Sequence, residues 1–145
     1  MTNSHLVDAL ARVTRDHRPE WATRVTGFLR RYLRMMSFDG SGELPNCFEH
    51  YHPYSGRGSV YRGIDDYQHS WVNDLTVRHL VGLEPRGNAG ITIDPLPFGV
   101  SASLTRSSIA GRRVDVNVSP QSFSVRVNGK PAGRGKIGTP LEIAW

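Results

Sequence analysis

The chain has 145 residues, room for one ordinary domain or two small ones with a hydrophobic core. Its 38% apolar and 21% charged content is that of a soluble globular protein; it excludes a disordered composition, and no apolar run approaches the length of a bilayer span. The formal charge of +5 comes mainly from arginines scattered along the chain (Arg12, Arg15, Arg18, Arg24, Arg30, Arg31, Arg34, Arg106, Arg112 and Arg113) rather than from a basic block, so neither nucleic acid nor a membrane is the expected partner.

The opening "MTNSHLVDALARV" lacks the basic start and unbroken apolar stretch of a secretion signal, which makes the cytoplasm the expected compartment. Leu6, Val7, Leu10 and Val13 predict one side of a helix near 5–15, with Ser4 as its cap. A break at Asp16–Arg18 then precedes a longer helix over 19–36. Pro19 suits its first turn, Glu20 faces the positive end of its dipole, and Trp21, Val25, Phe28, Leu29, Tyr32, Leu33 and Met36 recur at steps of three and four. Arg24 to Arg34 fit its solvated side. The two helices should form a hairpin.

From Ser37 to Tyr67 no period is sustained, and five glycines (Gly40, Gly42, Gly56, Gly58, Gly63) and two prolines (Pro45, Pro53) interrupt the chain. A loop of this length in a compact domain is usually functional, and its aromatic content argues for a held conformation packed at the helix ends. A third helix is expected at 69–82, with Gly82 as its C-terminal cap. Beyond it, "GITID", "GVSASLT", "RRVDVNV", "SFSVRVNG" and "PLEIAW" alternate apolar and polar residues, predicting five antiparallel strands over 90–145. Asn128-Gly129 is a strong tight-turn signal and Ala110-Gly111 a weaker one. The fold class is therefore α+β, with a boundary between 1–85 and 86–145.

The chemistry concentrates in "NCFEHYHPYSGRG", residues 46–58. His50 and His52 fall on one side of an extended segment, and Cys47, Glu49 and His69 could complete a metal site, but the paired-cysteine and helix-borne spacings of such sites are absent and no metal is expected. Cys47, the single cysteine, can form no internal disulfide and has no activating context for a nucleophile. Glu49, by contrast, lies among Phe48, Tyr51 and Tyr54, with Trp71 further on. Rings beside a carboxylate suit a sugar, whose apolar faces stack while its hydroxyls meet polar groups. Such a carboxylate can act as general base on water. Asp65 and Asp66 read as a solvated acidic pair.

The run Phe48-Glu49-His50-Tyr51-His52-Pro53-Tyr54-Ser55-Gly56, followed by Ser70-Trp71 at a helix start, resembles a late segment of inverting (α/α)6-barrel glycosidases. That clan includes processing α-glucosidase I, mannosylglycerate hydrolase-like enzymes and, more distantly, trehalase. Its pattern there is Glu-x-Tyr-x-Pro-x-Thr-Gly, then Phe-x-Trp-Thr/Ser entering the final barrel helix, of which the phenylalanine has no counterpart in "IDDYQHSW". Glu49, Tyr51, Pro53, Gly56 and Trp71 match in place, and Ser55 stands for the threonine. The resemblance runs from about Pro19 to Gly82, and relatives also carry a β appendage. It implies that Glu49 is the general base, that Tyr51 and Trp71 line the sugar subsite, and that Asn46 is a neighbouring polar contact.

The resemblance implies a helical hairpin segment of an incomplete barrel followed by a small antiparallel β domain. The family's acid, an aspartate from an earlier helix connection, has no counterpart, so this chain alone is expected to be inactive. It implies no cofactor. An oligosaccharide or small glycoside is the expected partner, with the missing barrel portion on another chain as a further one. The alternative is a non-catalytic carbohydrate-binding or structural module using the same aromatics.

Overall fold

The computed structural model describes residues 2–36, 51–57 and 71–145, and has an α+β fold of helices followed by two antiparallel sheets. The compact units are Met1–Asn73 and Asp74–Trp145. They part earlier than the 85/86 boundary read from the sequence, because Val77 and Val81 pack into the β core.

In the first unit, α1 (Thr2–Asp16) and α2 (Ala22–Met35) form the expected hairpin, and no barrel is formed among the described residues. The Val13 carbonyl accepts the N–H groups of both His17 and Arg18, closing α1 just before Pro19, which opens a short 3-10 turn (Pro19–Trp21) leading into α2. On α2, Val25, Thr26, Leu29 and Tyr32 are buried and the arginines face solvent, as its period predicts.

The inward stripe of α1 differs from the expected one. Ser4, Val7, Ala11 and Thr14 are buried, whereas Leu6 and Val13 are exposed. Ser4 is not a cap: it lies within the helix, and its hydroxyl shares a 2.7 Å hydrogen bond with the Tyr32 hydroxyl. Thr14 donates to the Leu10 carbonyl at 2.8 Å, so the polar members of the stripe are satisfied within the helical pair. Small side chains at 4, 7, 11 and 14 suit a close approach to the bulky face of α2, which a stripe of leucines would hold further off.

In the expected third helix, α3 (Trp71–Leu75) widens into a π-helical stretch, Thr76–Val81. Gly82 ends it as expected, in the left-handed conformation at φ +76°. Added to Gly82, a Cβ would collide with the Asp94–Pro95 backbone, so two constraints meet at one residue.

Seven strands follow instead of five. One antiparallel sheet has the order β1 (Leu83–Pro85), β2 (Gly90–Ile93), β7 (Leu141–Ala144); the other runs β3 (Ala102–Ile109), β4 (Arg112–Val118), β5 (Ser122–Val127), β6 (Lys130–Lys136). The additions are β1 and β6. "KPAGRGK" carries no large apolar residue and does not alternate, yet it pairs as the last strand of its sheet along β5. Gly135 is required there because Phe123 fills the space a side chain would take. The turns at Ala110-Gly111 and Asn128-Gly129 have positive φ at both residues, the geometry that matches strand twist in two-residue hairpins.

Ile91, Ile93, Val114, Val116, Val118, Phe123 and Val125 form the core of this unit, with Val81 and Leu83. Each such side chain contributes about 1.5–3 kcal/mol by leaving water. One acid interrupts the pattern. Asp115 is largely buried, and its carboxylate accepts the Arg106 N–H at 2.6 Å, where a bulge between Leu104 and Ser107 places Arg106 at φ +59°. Arg113 adds a contact at 3.4 Å. The Arg106 N–H, against the opposing effect of burial and with the help of Arg113 and Arg126, holds the carboxyl below its ordinary range.

Candidate functional site

Of the motif residues, Tyr51 to Arg57 and Trp71 lie within the described residues. Glu49 and Asn46 lie outside them, as do Cys47, Phe48, His50, Asp65, Asp66 and His69. The sequence calls for a turn at "HPYSGR", since Pro53 fixes one torsion and Gly56 permits a positive one. That turn is formed. The His52 N–H donates to the Arg57 carbonyl and the Gly56 N–H to the His52 carbonyl, both at 2.9 Å. Gly56 adopts φ +67°.

The turn engages the histidine side chain as well. His52 Nδ1 accepts the Ser55 N–H at 3.2 Å, which consumes the nitrogen nearer the backbone and leaves only Nε2 outward. Ser55 Oγ accepts the Arg57 N–H at 3.4 Å. His52 therefore serves the loop, and among the described residues no group of three histidine, cysteine or carboxylate side chains converges on a metal position. The Tyr54 ring is 95% exposed and lies 6.0 Å from His52, tilted by 55°. It is a surface aromatic with no packing role.

The two aromatics named as sugar contacts are held by different helices. Tyr51 is half-buried and its hydroxyl donates to Met36 Sδ at 3.6 Å, immediately after α2. Gly56 rests on Met35, so the turn is laid against the same helix end. Trp71 opens α3 and is 41% exposed, its ring meeting His5 of α1 edge-to-face at 4.5 Å. Met36 and His5 escaped the reading of the sequence. Met36 appears there only as a core position of its helix, and nothing in a linear pattern pairs His5 with Trp71.

Chemically, an exposed indole and a half-buried phenol, each fixed by its own helix, offer apolar area beside hydrogen-bonding edges at low entropic cost. Glu49 is two residues before Tyr51 in the chain. No family model, curated protein or solved structure matches the chain.

Proposed function

We propose that the chain is the C-terminal portion of an inverting glycoside hydrolase, with an incomplete (α/α)6 barrel in its helical part. The observation that supports this reading best is the locked turn from His52 to Arg57, with Gly56 in the left-handed region and Tyr51 tied to the end of α2. The Pro-x-Ser-Gly part of the motif thus has a structural reason, and it fixes the chain two residues beyond Glu49. Trp71, half-exposed at the start of α3, occupies the aromatic position of the same motif.

In this reading the Glu49 carboxylate takes a proton from water as the water oxygen bonds to the anomeric carbon. The glycosidic carbon–oxygen bond breaks on the opposite face, and an acid supplies the leaving oxygen with its proton. Tyr51 and Trp71 hold the sugar ring and Asn46 meets a hydroxyl. The acid comes from the remainder of the barrel, so these 145 residues by themselves bind a glycoside without turning it over. No cofactor enters the reaction. The cytoplasm is the compartment we propose. Among the described residues no helix is long and apolar enough to cross a membrane.

The test is Glu49→Gln in the chain complemented by the barrel portion. Sugar affinity should persist while turnover falls by about two to four orders of magnitude, the scale of a lost acid–base group. Unchanged turnover would reject Glu49 as the base. If the complemented chain binds glycosides and hydrolyses none, the non-catalytic binding module is the correct reading.

A further inference from the structure

The four-stranded sheet is strongly basic. Across β3 to β6 stand Arg106, Arg112, Arg113, Arg126, Lys130, Arg134 and Lys136, against Asp115 as the one acid. Strand alternation sends Val114, Val116, Val118, Phe123 and Val125 into the core and the intervening residues to the outer face. There the register sets Ser103, Asn117, Ser124 and Arg134 in one row, with Ser122 beside Lys136 in the next.

Two cations of this face are already engaged. Arg113 pairs with Asp115, and the Arg126 guanidinium donates to the Gly129 carbonyl through Nε and one terminal nitrogen. The Arg134 and Lys136 side chains, both exposed, have no hydrogen bond or ion pair among the described residues. They border a surface cavity of about 640 Å³ whose polar lining is completed by Asn117, Ser119, Ser122 and Ser124. Two free cations thus stand at a concave surface otherwise lined by hydroxyls, an amide, Gly135 and the largely buried Val118 and Phe123, a size and composition suited to a small ligand with polar groups and an apolar face.

We infer that this cavity binds an acidic oligosaccharide, with Arg134 and Lys136 taking uronate carboxylates and the serines and Asn117 taking sugar hydroxyls. The planar Arg134 fork matches a carboxylate through two parallel hydrogen bonds, and Lys136 supplies a point charge within the same cavity. Nucleic acid fits less well. Single strands are held by stacking on aromatic side chains, and the sheet's one aromatic, Phe123, is buried. A lipid surface would want apolar side chains exposed at the rim to enter the interface, and the two large apolar residues of this lining, Val118 and Phe123, are buried. The residues of the site all belong to the second unit, and the inference does not depend on the hydrolase reading.

Titration calorimetry of the full chain with galacturonate oligosaccharides tests the inference, with their methyl esters as the neutral control. Free acids should bind, the esters should not, and affinity should fall as salt rises. Arg134→Ala and Lys136→Ala should each weaken binding by about tenfold, the scale of one hydrogen bond to a charged group. Lys130→Ala, which removes the same charge at the β5–β6 turn, should leave it unchanged. Thermal melts of each variant establish that the fold is kept. No binding of the free acids, equal binding of the esters, an equal loss with Lys130→Ala, or tighter binding of single-stranded DNA or phosphatidylserine vesicles would each overturn the inference.

Discussion

Asp115 is the residue at which electrostatics and stability meet most directly. Its carboxylate completes the bulge by accepting the Arg106 N–H, and its pKa is lowered in the folded chain. Because the folded value is depressed, the stabilisation is present above the unfolded pKa near 4 and is lost as pH falls through the folded value. Asp115→Asn keeps the shape but gives up the charge facing Arg113. At neutral pH it should melt at a lower temperature than the parent, and the gap should narrow as the pH is taken from about 5 to about 2. Melting curves across that range decide the point, since a gap independent of pH would mean that shape rather than charge matters at this position. Ser4 and Thr14 obey the same rule of satisfaction by other means, with one hydroxyl bonded across the helical pair and the other to its own helix.

Among the elements, the passage from the helical stretch into the β unit is the least tolerant of change. Gly82 ends the stretch with a positive φ and also lets the Asp94–Pro95 backbone pass against it. The Asp94 N–H donates to the Gly82 carbonyl at 2.8 Å and the Leu96 N–H to the His79 carbonyl at 3.0 Å, so the returning chain is pinned on both sides of the glycine. Gly82→Ala combines an unfavourable torsion with a backbone collision, and should destabilise by about 3 kcal/mol or more. Chemical denaturation measures this. A loss below about 1 kcal/mol would show that the segment 94–96 can shift, contrary to its hydrogen bonding.

For the molecule as a whole, the helical unit leaves much of its apolar surface uncovered. Leu6, Val13, Trp21, Phe28 and Trp71 are each more than a third exposed, whereas Leu29 and Leu75 are buried. Several large apolar groups at the surface of one small helical hairpin point to contact with something further, as the proposed barrel would provide. The chain alone should bind an apolar fluorescent dye without denaturant and associate as its concentration rises. Leu6→Lys with Phe28→Lys should suppress both while leaving a cooperative melt. A dye-silent chain that stays monomeric would argue against a larger helical assembly.

Much of this architecture can be read from the linear pattern. The step of three and four in α2, the alternation in β2, β4, β5 and β7, the positive-φ turns at Gly111 and Gly129, and the stop at Gly82 all follow from local torsions and side-chain period. Of the candidate site, the motif supplied Tyr51 and Trp71 and the turn between Pro53 and Gly56. What held them was not legible, because Met36 and His5 meet them only through the packing of separate elements. The buried side of α1 was likewise settled by the fit of small residues against α2, which overrode the larger leucine and valine side chains. β6 lacks an apolar pattern of its own and exists because β5 offers it a ladder of backbone partners. The basic cavity depends on the same pairing: Asn117, Ser124 and Arg134 stand on three successive strands, and strand register sets them in one row. Sequence by itself determined the local conformations and the residue types; tertiary structure decided which faces are buried and which distant side chains share a surface, because both depend on contacts between segments that no local period encodes.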